Sequence, residues 1–76
     1  MEVRIKKISD AQFTGDDGKE VVGKYIYVLP VNGGNMKRLF FSADRLLNME
    51  YEPVVGDKVY VVENDLGRAV ELLKLD

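Results

Sequence analysis

Glycine-containing turns divide this chain of 76 residues into short runs in which apolar and polar side chains alternate. The turn signals are Gly15–Gly18, Asn32–Asn35, Val55–Asp57 and Glu63–Gly67, and the runs between most of them are rich in β-branched and aromatic residues. Such runs are typical of strands with one buried and one exposed face. The pattern restricts the chain to an all-β fold, and its length predicts a single domain, residues 1–76.

The alternation predicts five strands, which run from Val3 through Phe13, from Val21 to Val31, from Met36 to Phe41, from Lys58 to Val62 and from Arg68 to Leu75. In the first strand the pattern slips at Ser9-Asp10 and resumes at Ala11, which predicts a bend or a bulge there. Gly23, inside the second strand, indicates either another bulge or a close approach of two backbones.

The segment that begins at Ser42 changes from strand to helix period. Ser42 is a suitable N-cap, the apolar residues Leu46, Leu47 and Met49 are placed to line one helix face, and Pro53 stops the helix. Three strands, a short helix and two strands are the order of the OB-fold. We therefore predict a five-stranded, OB-like Greek-key barrel with one short helix between strands 3 and 4. An SH3-like barrel is the alternative, but it requires shorter strands and no helix.

The composition argues against several classes of function. The chain contains neither Cys nor His, so it lacks thiolate ligands, the commonest zinc ligand and the commonest general base. Acidic residues such as Asp16 and Asp17 do not have the regular spacing of a cation-binding loop. No run of apolar residues reaches membrane-spanning length, and the N-terminus lacks a signal core. We predict a cytoplasmic, non-enzymatic protein without metal, cofactor, small-molecule substrate or membrane partner.

Two segments of the first hairpin resemble a known family. Ala11-Gln12-Phe13-Thr14, then Gly18, then Gly23-Lys24 followed by an aromatic residue, stand at the spacing found in the filamentous-phage gene-five type of single-stranded-DNA-binding protein. Met49–Pro53 and Val70–Leu75 are similar to later segments of that family. The resemblance implies an OB-like homodimer that coats single-stranded DNA, with little sequence preference, during phage replication.

The resemblance also implies roles for individual residues. Lys24 would contact a phosphate, and Tyr25 or Tyr27 would stack on bases. Where the family has basic residues in the turn of this hairpin, the present chain has Asp16 and Asp17, followed by Lys19. The chain therefore departs from the family at the turn.

The residues themselves indicate the same surface. Tyr25 and Tyr27 are two positions apart and share one face of their strand, whereas Ile26 and Val28 take the other face. Lys37 and Arg38 point to opposite faces, and so do Phe40 and Phe41. The predicted nucleic-acid-binding residues are Lys19, Lys24, Tyr25, Tyr27, Lys37, Arg38, Phe40 and Arg68.

The charge leaves a second function open. The net charge is −2, which does not favour a strong grip on phosphates unless the cations cluster on one face. The alternative is a small β-barrel module for protein interaction or regulation, in which the exposed aromatic residues form an assembly surface. The sequence does not distinguish DNA from RNA as the partner.

Overall fold

The computed structural model describes residues 1–75 and contains five strands and one helix. In chain order the elements are β1 (Glu2–Thr14), β2 (Glu20–Pro30), β3 (Lys37–Ser42), α1 (Ala43–Asn48), β4 (Lys58–Glu63) and β5 (Ala69–Lys74). The strands form one sheet in the order β3-β2-β1-β4-β5, and all neighbouring strands are antiparallel. The predicted β-rich fold, with a short helix between the third and fourth strands, is confirmed.

The hydrophobic core lies on one side of this sheet and receives side chains from every strand. Its fully buried members are Val3, Ile5, Ile26, Val28, Phe41, Val59, Val61 and Leu72. Burying one such side chain stabilises the fold by about 1.5–3 kcal/mol. Ile26 and Val28 enter the core as predicted, and so does Phe41, while Phe40 points to the other side.

A bulge in β1 lies between Ile5 and Lys7, several residues before the Ser9-Asp10 position predicted from the sequence. Ile5 is opposite Val28, whereas Lys7 is opposite Tyr27, so Lys6 is the extra residue. An extra residue reverses the alternation, because successive side chains in a strand point to opposite faces. The core face of β1 therefore holds odd-numbered residues before the bulge and even-numbered residues after it.

Gly23 lies where the neighbouring strand β3 leaves no room for a side chain. A Cβ atom at this position would lie 2.9 Å from Cε1 and Cζ of Phe40 and would also meet the carbonyl oxygen of Phe41. The register of β2 is regular on both sides of Gly23. Of the two explanations predicted for this glycine, the close approach is therefore the one observed, and the bulge is absent from this strand.

Helix α1 begins at the predicted cap, where Oγ of Ser42 accepts a hydrogen bond from the backbone N–H of Arg45 at 3.3 Å. Leu46 and Met49 pack against the core, but Leu47 is 82% exposed. The prediction that Leu47 shares the apolar face of the helix is therefore wrong. Adjacent helical residues are about 100° apart, so Leu47 points away from the side that Leu46 occupies. Within residues 1–75, no helix is long and apolar enough to cross a lipid bilayer.

The connection from α1 to β4 is fastened to β1 beside the bulge. Ile5 donates its backbone N–H to the carbonyl oxygen of Asp57 at 2.9 Å, and Gly56 donates to the carbonyl oxygen of Ile5 at 2.8 Å. The Tyr51 hydroxyl donates to Oδ2 of Asp57 at 2.7 Å. Burial, followed by this hydrogen bond, raises the pKa of Tyr51 to about 12. The loop thus continues the hydrogen bonding between β1 and β4 as far as the bulge.

Candidate nucleic-acid interface

The side of the sheet opposite the core carries a row of aromatic and basic side chains. The register places Phe13 opposite Val21, and it places Tyr25 between Ser9 and Phe40. Tyr27 lies between Lys7 and Arg38. We call this surface the aromatic face, and its members are Lys7, Phe13, Tyr25, Tyr27, Arg38 and Phe40.

Three of the four rings of the aromatic face contact one another across three strands. The ring centroids of Phe13 and Phe40 are 5.3 Å apart with an interplanar angle of 60°, and those of Phe40 and Tyr25 are 5.7 Å apart with an angle of 62°. Both are edge-to-face pairs, the geometry that aromatic quadrupoles favour. Phe13 is 42% exposed, and Tyr25 and Phe40 are half-buried. Packing therefore holds the rings in place while part of each remains accessible.

Two cations lie over the tyrosine rings. The guanidinium carbon of Arg38 is 4.4 Å from the ring centroid of Tyr25, and Nζ of Lys7 is 5.5 Å from that of Tyr27. Both distances are within the range of cation–π attraction. Rings and positive charges are thus interleaved on one surface, an arrangement suited to stacking on bases and pairing with phosphates.

The charges of the first hairpin are separated between its two faces. After the bulge in β1, the positions on the aromatic side of β1, β2 and β3 contain the cations Lys7 and Arg38 and no carboxylate. The carboxylates of Asp10 and Glu20 belong to positions on the opposite side of the hairpin. An overall charge of −2 therefore coexists with a locally positive aromatic face.

The structure brings together four of the predicted site residues and separates the others. Tyr25, Tyr27, Arg38 and Phe40 are all members of the aromatic face. Lys24 is on the opposite side of the same strand, where its Nζ lies 3.6 Å from Oδ1 of Asp10.

The remaining predicted residues lie apart from the aromatic face. Lys37 is paired with Val28 on the opposite side of β2 and β3, and its Nζ is 3.9 Å from the sulfur of Met1. Lys19 follows the β1–β2 turn and Arg68 follows the β4–β5 turn, and both are exposed. Of these residues, Arg68 is the one that shares a groove with members of the aromatic face, Arg38 and Phe40.

The acidic turn between β1 and β2 has a structural role. Oδ1 of Asp17 accepts a hydrogen bond from the backbone N–H of Lys19 at 3.0 Å, and Gly18 has a positive φ of 79°. A short acidic side chain commonly closes a turn in this way. Asp17, one of the two residues at which the chain departs from the gene-five pattern, therefore helps to form the turn at the tip of the hairpin.

Two members of the aromatic face, Lys7 and Phe13, were not among the predicted site residues. Lys7 belongs to a basic run that is typical of a solvated edge, and Phe13 stands at the end of the first predicted strand. Both positions follow from the bulge at Lys6, which turns the odd-numbered residues of β1 away from the core. The signal in the sequence that could have located the bulge is the step of three from Ile5 to Ile8, because both residues are apolar and both lie on the core side.

Comparison with known proteins adds no relative to this description. No protein-family model matches the chain, and neither the curated proteins nor the solved structures give a significant match. The geometry and charge of the aromatic face therefore carry the proposal of function.

Proposed function

We propose that this protein binds single-stranded DNA with little sequence preference and has no enzymatic activity. The observation that carries the proposal is the aromatic face, on which rings and cations alternate without a carboxylate. Every base has a π surface, so stacking on aromatic side chains is tolerant of sequence and is worth about 1–3 kcal/mol per base. Tyr25, Tyr27 and Phe40 are the stacking residues of the proposal, and Lys7 and Arg38 are its cations.

An OB-like barrel is part of the same proposal. The strand order contains β4-β1-β2-β3, the spatial order of a Greek key. The edge strands β3 and β5 lie in contact, and Arg45, in helix α1 directly after β3, donates from Nη1 to the carbonyl oxygen of Val70 in β5 at 3.2 Å. OB-folds bind oligonucleotides on the face of strands 2 and 3, and the aromatic face includes both.

The direct test is a titration of fluorescently labelled oligo-dT with the protein at low salt, followed by anisotropy. We expect saturable binding that weakens as salt increases, with a shallow slope because few cations are available on the aromatic face. Oligo-dA and oligo-dC should bind with comparable affinity, since stacking carries the interaction. Absence of binding at tens of micromolar protein would contradict the proposal. A parallel titration with oligo-rU measures the preference for DNA over RNA.

The proposal also includes a homodimer in the cytoplasm of a host cell, encoded by a phage or mobile element and acting in DNA replication. Its support is the gene-five resemblance and one feature of the second hairpin. Tyr60 and Leu73 are cross-strand partners in β4 and β5, and are 44% and 46% exposed. Sedimentation should show a dimer that Leu73→Glu dissociates, because a buried charge opposes association.

A protein-interaction module is the second candidate, and the same exposed pair favours it. Tyr60 and Leu73, together with Leu66 in the β4–β5 turn, which is 78% exposed, give the second hairpin an apolar exterior. In this case substitution of Tyr60 would remove self-association or partner binding, and added oligo-dT would leave the tyrosine spectrum unchanged. The anisotropy titration separates the two candidates.

A further inference from the structure

A groove continues the aromatic face beyond the β3 edge of the sheet. It lies between β3 and the β4–β5 turn and has a volume of about 580 Å³. Arg38, Phe40, Arg45, Leu66 and Arg68 are among its lining residues. Arg38 and Phe40 belong to both surfaces, so a chain lying on the aromatic face can enter this arginine groove without leaving the protein.

The charged residues that line the arginine groove are all positive. Three of the residues that line it are arginines, and none is acidic. Within residues 1–75, the one ion pair is that of Lys24 and Asp10, on the opposite side of the hairpin. Arg38, Arg45 and Arg68 thus line the groove without a carboxylate partner from the described part of the chain.

Arg45 is held beside the contact between the edge strands β3 and β5. It leaves helix α1, and its Nη1 donates to the carbonyl oxygen of Val70 in β5 at 3.2 Å. A guanidinium group has five N–H donors in a planar fork, so this hydrogen bond leaves further donors for a ligand. The contact with β5 fixes the position of the positive charge and reduces the entropy lost when a phosphate binds.

A second groove, on the other side of Arg45, contains negatively charged residues. This groove, next to the first, is lined by Asp44 and Glu71 together with Arg45. A phosphate would be repelled by these two carboxylates and attracted by the groove that contains Arg38 and Arg68. The electrostatics therefore select one of two adjacent grooves.

We infer that the arginine groove binds the phosphates of a single nucleic-acid strand as the strand passes from the aromatic face over β3. Arg45 and Arg68 are the phosphate contacts, and Arg38 joins the groove to the stacking surface. This inference rests on the proposed function and adds to it the path of the strand and a residue, Arg45, that lies outside the predicted site. A planar guanidinium pairs with two phosphate oxygens at once, which suits arginine to this position.

The test compares Arg45→Gln and Arg68→Gln with Glu71→Gln, a control in the neighbouring groove. Each variant is titrated into labelled oligo-dT over a series of NaCl concentrations. We expect each arginine variant to bind about threefold to tenfold more weakly, with a log–log salt slope shallower by about 0.7. Glu71→Gln should bind at least as tightly as the wild type, because a repelling charge is removed.

Two features keep this test decisive. The Arg68 side chain makes no hydrogen bond within residues 1–75, so Arg68→Gln leaves the fold intact. Arg45→Lys keeps the positive charge and should retain the salt slope of the wild type. Wild-type affinity and slope in both glutamine variants, with Tyr25→Ala still weakening binding, would overturn the inference and leave the proposed function standing. Absence of binding by the wild type would overturn both.

Inorganic phosphate separates a strand from a free anion as the occupant. Excess phosphate should displace oligo-dT only to the extent that an equal ionic strength of NaCl does. Displacement well beyond that of NaCl, abolished by Arg45→Gln, would assign the groove to a free phosphate and overturn the inference.

Discussion

The two faces of the first hairpin are built from the same strands but have different charge balance. On the aromatic face, Lys7 and Arg38 lie over tyrosine rings and have no carboxylate beside them at the neighbouring strand positions. On the reverse face, Lys24 is paired with Asp10. A ligand with negative charge is therefore attracted by one face and meets a neutralised surface on the other. The comparison shows that the distribution of charge across a sheet, rather than the net charge, determines which partner a small acidic protein can bind.

The bulge at Lys6 produces this difference. Without it, the register of β1 would place the even-numbered residues after Lys6 beside Tyr25 and Tyr27, and Asp10 would join the aromatic face. One extra residue thus moves a carboxylate away from the rings and Phe13 towards them. A register shift of one residue exchanges the two faces of a strand, so every side chain of β1 after the bulge changes sides.

The largest effect on binding is expected when two stacking rings are removed together. Tyr25→Ala combined with Tyr27→Ala should weaken oligo-dT binding by about 2–6 kcal/mol, if each ring stacks on one base. Oligomers of different sequence should lose affinity to a similar degree. Substitution of Tyr60, on the second hairpin, is the matched control and should leave DNA binding unchanged. Equal losses in the Tyr60 variant would move the interface away from the aromatic face.

An added methyl group at Gly23 should destabilise the fold, because the neighbouring strand leaves no room for it. Gly23→Ala introduces a Cβ atom against the Phe40 ring and the Phe41 carbonyl, and we expect it to lower the free energy of unfolding by about 1–3 kcal/mol. Urea denaturation measures the change. Val22→Ala, at an exposed position of the same strand, should cost less than about 1 kcal/mol. Wild-type stability in Gly23→Ala would contradict the close packing of β2 and β3.

Neutralising one cation on each face tests the comparison of the two faces directly. Arg38→Gln should weaken binding to oligo-dT by about threefold to tenfold, since it removes both a charge and a stacked guanidinium. Lys24→Gln should change the affinity for oligo-dT by less than about twofold. The exposed Lys24–Asp10 pair contributes little to stability, and it faces away from the proposed path of the DNA. A larger loss of affinity in Lys24→Gln than in Arg38→Gln would place the bound DNA on the reverse face.

The smallest effect is expected at the tip of the hairpin. Asp16→Asn removes one negative charge and leaves the hydrogen bond from Lys19 to Asp17 in place. The turn lies outside the aromatic face, so affinity for oligo-dT should rise by less than about twofold in physiological salt, where exposed charges are screened. A rise of fivefold or more would show that the bound strand passes over the turn.

Much of the fold was predictable from the sequence because strand alternation is a local property. The inward positions of Ile26, Val28 and Phe41 followed from their period of two, and the Ser42 cap followed from the chemistry of helix N-termini. The bulge was placed wrongly, at Ser9-Asp10, because a polar pair there looks like an interruption in a strand whose core side is in fact even-numbered after Lys6.

The candidate site was predictable only in part. Tyr25, Tyr27, Arg38 and Phe40 share a face through the pairing of adjacent strands, and this pairing could be anticipated from a regular hairpin. Phe13 joins them because the bulge at Lys6 turns it to this side, where its ring packs against that of Phe40. Lys24 was inferred from family resemblance, although its neighbour Tyr25 must point to the opposite side.

The most direct measurement is a backbone and side-chain NMR titration of the protein with a short oligo-dT. The account predicts that the largest shifts cluster on Lys7, Phe13, Tyr25, Tyr27, Arg38 and Phe40, whereas Asp10 and Lys24 change little. Shifts confined to the reverse face of the hairpin or to the exterior of β4 and β5, or spectra that oligo-dT leaves unaltered, would contradict it.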